Sequence, residues 1–157
     1  MSTPEITAQI DALRIFPNQL RALVHGLTPA QLTTAFLPNE WTVAQNVHHL
    51  ADSHMHSYLR CKFIAATLNP TLQPYDQDRW AIFPDAQAAD IETSLLLLAQ
   101  LHQRWAHFFN TLSDTDLDRT GYHPENGPVS LRSILATYVR HGQAHLKQIA
   151  GVLAAQA

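Results

Sequence analysis

A single cysteine in 157 residues excludes two kinds of architecture. Cys61 has no partner for an intramolecular disulfide, and it cannot build a cysteine-based zinc cluster. Charge of one sign is not concentrated anywhere either. The formal net charge is -3 and no basic stripe runs along the chain, which argues against sequence-independent nucleic-acid binding. Long hydrophobic runs are missing too. The longest, LLLLA at 95–99, falls far short of the roughly 20 apolar residues of a membrane span. The opening residues, MSTPEITAQID, show no basic segment followed by an apolar core, so no signal peptide is expected and a soluble cytoplasmic protein is. No internal repeat and no convincing strand pattern is present.

What the sequence does hold is apolar surface and histidine. Apolar residues make up 46% and charged residues 15%, so the chain is expected to pack as one domain over 1–157. The ten histidines equal lysine and arginine combined. Histidine is the commonest metal ligand and the side chain best suited to proton transfer near neutral pH. That surplus points to a metal or acid/base site without placing it.

Hydrophobic periodicity predicts four long helices. The first begins at the N-cap Thr3 with Pro4 in its first turn, carries Ile6, Ile10, Leu13, Leu20 and Val24 at helical spacing, and ends at Gly26, with a kink expected at Pro17. The motif TPAQL from Thr28 reads as a short capped turn. The second helix opens at Thr42, where Gln45 completes a capping box, and runs to about 68, before Asn69-Pro70. The third spans about 88–112 and the fourth runs from the N-cap Ser130 to about 153. Two long connections separate the second helix from the third and the third from the fourth. The first of these is long enough to cross a bundle instead of forming a tight hairpin. Four amphipathic helices and nothing else predict an all-α four-helix bundle.

In the fourth helix, the segment YVRHGQAHLKQ places His141 and His145 one turn apart on one face. On a helical wheel they fall within the apolar stripe of Leu131, Ile134, Leu135, Tyr138, Gly142 and Ile149, opposite Arg132, Arg140 and Lys147. Two inward imidazoles are either hydrogen-bonded core residues or a chelating pair, since this spacing lets one helix hold one ion. The residue after His141 is glycine, so this is not the HExxH helix of a metalloprotease. The second helix offers His48, His49, His54 and His56 for a third ligand. Its apolar centre contains His54, while His48 and His49 lie on opposite flanks. Spacing alone nominates His54.

The run WTVAQNVHHLADSHMHSYLRCKF, followed in order by PYDQDRW, LHQRW, YHPE and LRSILATYVRHGQAH, resembles the DinB/YfiT superfamily of metal-binding four-helix bundles, with the YfiT subgroup nearest. The resemblance covers about 41–148. It implies that the ligand of the second helix is the histidine before the leucine of LAD, here His49, and that the other two are His141 and His145. The chain departs from the family pattern at His56, where a neutral polar residue is expected, and HGQAHLKQ is less histidine-rich.

Three neutral imidazoles would leave an ion's charge uncompensated and a coordination position open, which is a catalytic pattern and not the closed four-ligand structural one. Such an ion activates water or binds a thiol as thiolate. Zinc or nickel suits the set best, with iron and cobalt also compatible. The resemblance implies a metal-dependent enzyme acting on a small molecule, read first as a hydrolase. The alternatives are a transferase using a low-molecular-weight thiol and a non-catalytic metal- or ligand-binding bundle. Asp52, one turn beyond His49, is the nearest carboxylate for a catalytic role; His123 in YHPE lies on a loop able to reach the site. Gln148 is expected at the rim. His102 is expected to line the cavity or sit in the core, and His25, His54 and His107 to be structural or at the surface. Cys61 is expected to be a small buried hydrophobe, and homodimerisation is expected from the resemblance.

Overall fold

Side-chain caps start three of the four long helices. In the computed structural model, which describes residues 3–156, the Thr3 side chain accepts from the Ile6 amide and opens α1 (Pro4–Val24). Residues 1, 2 and 157 of the expected domain lie outside the described residues. Pro17 is buried within α1, and Gly26 takes the left-handed conformation, with φ of 73°, just past its end. TPAQL forms α2 (Pro29–Thr33) with a complete capping box between Thr28 and Gln31. The Thr42–Gln45 box opens α3 (Val43–Ala66). The long connection after it contains α4 (Gln77–Ala81) and a 3-10 turn at Asp85–Gln87. Then come α5 (Glu92–Asn110) and the short α6 (Asp114–Leu117). Ser130 and Ser133 cap α7 (Leu131–Ala154).

Two expectations are corrected. The third long helix starts at Glu92 and not near 88, because the 3-10 turn and the Asp90 carboxylate, which accepts from the Glu92 amide at 3.2 Å, occupy the preceding residues. The connection from α5 to α7 also contains a hairpin, β1 (Thr120–His123) paired antiparallel with β2 (Gly127–Ser130), where no strand was expected. These four-residue strands have no apolar alternation to betray them. The pairing of Thr120 with Ser130 through His123 with Gly127 forms the hairpin, and backbone bonds tie it to the preceding connection: the Tyr122 amide donates to the Pro70 carbonyl at 2.9 Å, and the Leu72 amide donates to the Tyr122 carbonyl at 2.8 Å.

The four long helices form a bundle in which α1 and α3 each pack on α5 and α7, so α1 and α3 lie on one diagonal. The side-chain pairs give the directions. Arg21 with Glu92 makes α1 and α5 antiparallel, and Asn46 with His145 and Ser53 with Tyr138 do the same for α3 and α7. His48 with Ser94 and His54 with His102 make α3 and α5 parallel. Two parallel neighbours cannot be joined by a hairpin, which explains why the connection between them travels the length of the bundle. No helix among the described residues is long and apolar enough to cross a membrane.

The core divides into two apolar clusters. One gathers Phe16, Leu20, Val47, Leu50, Leu98 and Ile149; the other gathers Ile10, Leu13, Ile64, Trp105, Leu131 and Leu135. Between them lies a layer of buried polar side chains, including Ser53, His54, Ser57 and His102. Burying such groups is tolerated only where they bond to one another or to a ligand. Gly142 shapes this layer. A Cβ there would meet the Phe16 ring at 2.8 Å, so its absence lets Phe16 pack beside His54 and His102, with ring centroids 5.3 and 5.4 Å away.

Candidate metal centre

α3 contributes His49 and α7 contributes His141 and His145. One ring nitrogen from each lies within 4.8 Å of the others. The Nε2 atoms of His49 and His141 are 3.4 Å apart. Two imidazole nitrogens bound to one tetrahedral zinc at about 2.0–2.1 Å also sit about 3.4 Å apart, so this edge already fits an ion, while the widest separation in the group requires small ring movements. Burial, and then the neighbouring His145 and His141, push His49 down to about 3. Burial and then His145 push His141 to about 3, and burial brings His145 to about 4, offset in part by Gln148. All three rings are therefore neutral at pH 7, the form in which imidazole binds a metal.

Hydrogen bonds from behind decide which nitrogen carries the proton in two of the rings, His145 and His141. Asn46 donates its amide to the Thr42 carbonyl at 3.0 Å, which fixes its oxygen as an acceptor toward His145 Nδ1 at 2.8 Å. The His145 proton is thus on Nδ1, and Nε2 presents its lone pair. His141 is set by a longer chain. The Leu13 carbonyl can only accept, so His102 Nδ1, 2.6 Å away, donates to it. His102 is neutral, brought to about 4 by burial, so its Nε2 is bare and accepts from His54 Nδ1 at 2.7 Å. His54 is fully buried, with no carboxylate beside it among the described residues, and stays neutral. Its Nε2 accordingly accepts from His141 Nδ1 at 3.2 Å. One backbone carbonyl on α1 thereby leaves the lone pair of His141 on Nε2, facing His49. This outer support is the arrangement that orients histidine ligands in metal sites.

The spacing-based nominee, His54, is buried at the centre of the bundle but lies outside the three-histidine group; it holds the far side of a member of it. Sequence reasoning missed the parts played by His54, His102 and Asn46. The signal available was a histidine in an apolar stripe, which must find partners for both nitrogens. His48 finds them in Ser94 at 2.8 Å and the Ala88 carbonyl at 2.9 Å, away from the group. His25 and His107 are exposed. Cys61 is fully buried and its thiol is pushed up to about 12 by burial, which makes it a hydrophobe and not a nucleophile.

Around the group, Trp41 stacks on His145 with centroids 6.2 Å apart and tilts over His49 at 4.6 Å. A shallow cavity of about 250 Å³ opens onto His145, with Glu40, Asp78 and Gln148 in its wall. Gln148 donates to Glu40 at 2.7 Å. Asp52 lies outside the histidine group. It is half-buried, and burial and then Asp85 raise its carboxyl above the ordinary value. His56 stacks on Tyr75 at 4.3 Å and 4°. His123 sits in β1, buried, lining a separate cavity with Arg60 and Tyr138.

Comparison with known proteins follows the same lines. A family model described as the DinB superfamily matches residues 12–149. A protein of Oceanobacillus iheyensis is 40% identical over 144 residues, covering 92% of this chain and 83% of its own. One of Bacillus mycoides is 38% identical over 140 residues, covering 89% and 80%. Both carry the name "Putative metal-dependent hydrolase". YfiT from Bacillus subtilis, described as "a probable metal-dependent hydrolase with an unusual four-helix bundle topology", superimposes with a TM-score of 0.92 at 37% identity, covering 97% of this chain and 87% of that one.

Proposed function

The chain belongs to the DinB superfamily, and from that premise we propose that it is a metal-dependent hydrolase of the YfiT type that holds one divalent transition ion on His49, His141 and His145. The observation that carries this reading is the convergence of three neutral imidazoles, two with their lone pairs fixed from behind by Asn46 and His54. Three protein ligands without a carboxylate leave the charge of a 2+ ion uncompensated and a position open, as in catalytic sites. An ion in that setting supplies Lewis-acid activation of water or of a substrate oxygen. Zinc or nickel suits an all-imidazole set first, and iron or cobalt fits as well.

The surrounding residues have roles of their own. Trp41 covers His49 and His145 and keeps water from their outer faces. Asp52, raised by burial and one turn beyond His49, is the carboxylate suited to accept the proton that hydrolysis releases. The small cavity beside His145 opens the group to solvent past Glu40 and Gln148.

The test is turnover by the metal-loaded protein across ester and amide substrates without added thiol. Hydrolysis that disappears on metal removal and in His141→Ala supports the proposal. Conjugation of monochlorobimane only when glutathione, bacillithiol or mycothiol is added would replace hydrolysis with thiol transfer at the same ion. Absence of both activities, with tight metal binding, would make the chain a non-catalytic metal-binding bundle.

A further inference from the structure

Tyr138 separates the histidine group from a second feature of the same seam. Its ring centroid is 5.3 Å from that of His141, and Ser53 donates to its hydroxyl at 3.4 Å. One turn further from the ligands on each helix, at Ser57 of α3 and Ile134 of α7, the seam opens into a cavity of about 300 Å³, closed above by the hairpin. That size is in the range of small-molecule sites. Leu72, Val129 and Ile134 give it an apolar floor.

Its polar lining carries one positive charge and several free donors. The Ser57 side chain is 1% exposed, and its hydroxyl has no hydrogen-bond partner among the described residues. A buried hydroxyl left without a partner forfeits the hydrogen bonds it made to water, so such a group in a cavity wall calls for a ligand. Arg60 stands one turn on. Its Nε and Nη2 donate to the Gln73 carbonyl at 3.1 and 2.6 Å, which fixes the guanidinium and leaves Nη1 free. Arg60 forms no ion pair among the described residues, whose pairs are made by Arg14, Arg21 and Arg132. His123 Nδ1 accepts from the Glu125 amide and the Asn126 side chain, both at 3.3 Å, so the proton of the neutral ring is on Nε2. Thr137 accepts from Arg140 at 3.2 Å, which leaves its own hydroxyl proton available. Arg60 and the donors of Ser57, His123 and Thr137 share the cavity wall with the polar side chains of Asn126, Ser133 and Tyr138, and among the described residues no carboxylate lines it.

We propose that this cavity binds the carboxylate of an amphiphilic small-molecule substrate, with Arg60 as the charged anchor, Ser57 and His123 as donors, and the apolar body of the substrate lying over Leu72 and Ile134. The reading rests on the metal-site function above, since the substrate then runs past Tyr138 toward His49, His141 and His145. Eight residues of α3, about 12 Å along its axis, separate His49 from Ser57. The carboxylate therefore lies on the order of 10 Å from the group that reacts. The Nη1 side of the Arg60 guanidinium, left over from the bonds to Gln73, supplies the charge, and two neutral donors complete the set for a planar monoanion.

The experiment titrates the metal-loaded protein with 4-phenylbutyrate and its neutral isostere 4-phenylbutanamide, followed by amide and Arg Nε–H shifts in NMR. The acid is expected to shift Ser57, Arg60 and Thr137 and to bind about tenfold more tightly than the amide. Arg60→Gln is expected to abolish that preference, and Ser57→Ala to weaken the acid without affecting the fold. Equal affinity for acid and amide, an undiminished preference in Arg60→Gln, or no saturable acid binding at millimolar concentration would each overturn the proposal. Elemental analysis of the same samples separates the two readings. Metal retained without acid preference removes the cavity's role, whereas acid preference in a protein that binds no metal removes the hydrolase and leaves the anion site.

Discussion

His54 Nε2 lies 3.2 Å from His141 Nδ1, and this bond ends a chain of neutral rings that begins at the Leu13 carbonyl. Replacing His54 by Leu removes the acceptor that keeps the His141 lone pair on Nε2. Metal affinity is expected to fall about 10- to 100-fold, measured by competition with a chromophoric chelator. His54→Gln is expected to retain most of it, because the amide oxygen accepts from His141 while the amide nitrogen donates to His102. Equal loss in both variants would show that His54 acts only by filling space.

The metal-free protein is expected to lose stability as pH falls from about 6.5 toward 5, above the range of ordinary carboxylates. His49 and His141 are held at about 3 and His102 and His145 at about 4 by burial. Each folded ring stays neutral where its unfolded counterpart takes up a proton, so the unfolded state binds more protons and gains on the folded one. The contribution is complete above about 6.5 and declines until the folded rings protonate near 3–4. Urea midpoints that do not change between about pH 7 and 5 would contradict it.

Gly142→Ala is expected to destabilise by about 1–3 kcal/mol, since the new Cβ meets Phe16 at 2.8 Å inside a packed layer. Chemical denaturation reads the change. Combining it with Phe16→Leu is expected to recover part of the loss; strict additivity of the two losses would show that the contact is not responsible.

Cys61, fully buried and held at about 12, is expected to resist thiol reagents in the native protein and to react fully in denaturant. Labelling of the native chain at the rate of a free thiol would contradict its burial with Ile64 and Trp105 in the second core cluster.

Much of this was legible in the sequence, for reasons that differ by residue. Thr3, Thr42 and Ser130 announce helix starts because capping is a local event. His141 and His145 could be turned inward from the wheel of one helix. His49 could not, because a wheel gives a direction without saying which neighbour stands there. The neighbours of α3 are α5 and α7 and not the preceding long helix, so a flank residue reaches α7 while the central His54 meets His102. The relay through His54 and His102 depends on the axial alignment of three helices, which the long connections set and no periodicity records. The hairpin escaped notice because backbone pairing between its strands, and its bonds to Pro70 and Leu72, define it, and not apolar alternation.

The central claim is that His49, His141 and His145 together hold one ion. Elemental analysis of the purified wild type and of His49→Ala, His141→Ala and His145→Ala, alongside far-UV circular dichroism, tests it most directly. The account predicts one ion per chain in the wild type and its loss from each variant with the helical signal retained. Stoichiometric metal persisting in any of the three folded variants would contradict it.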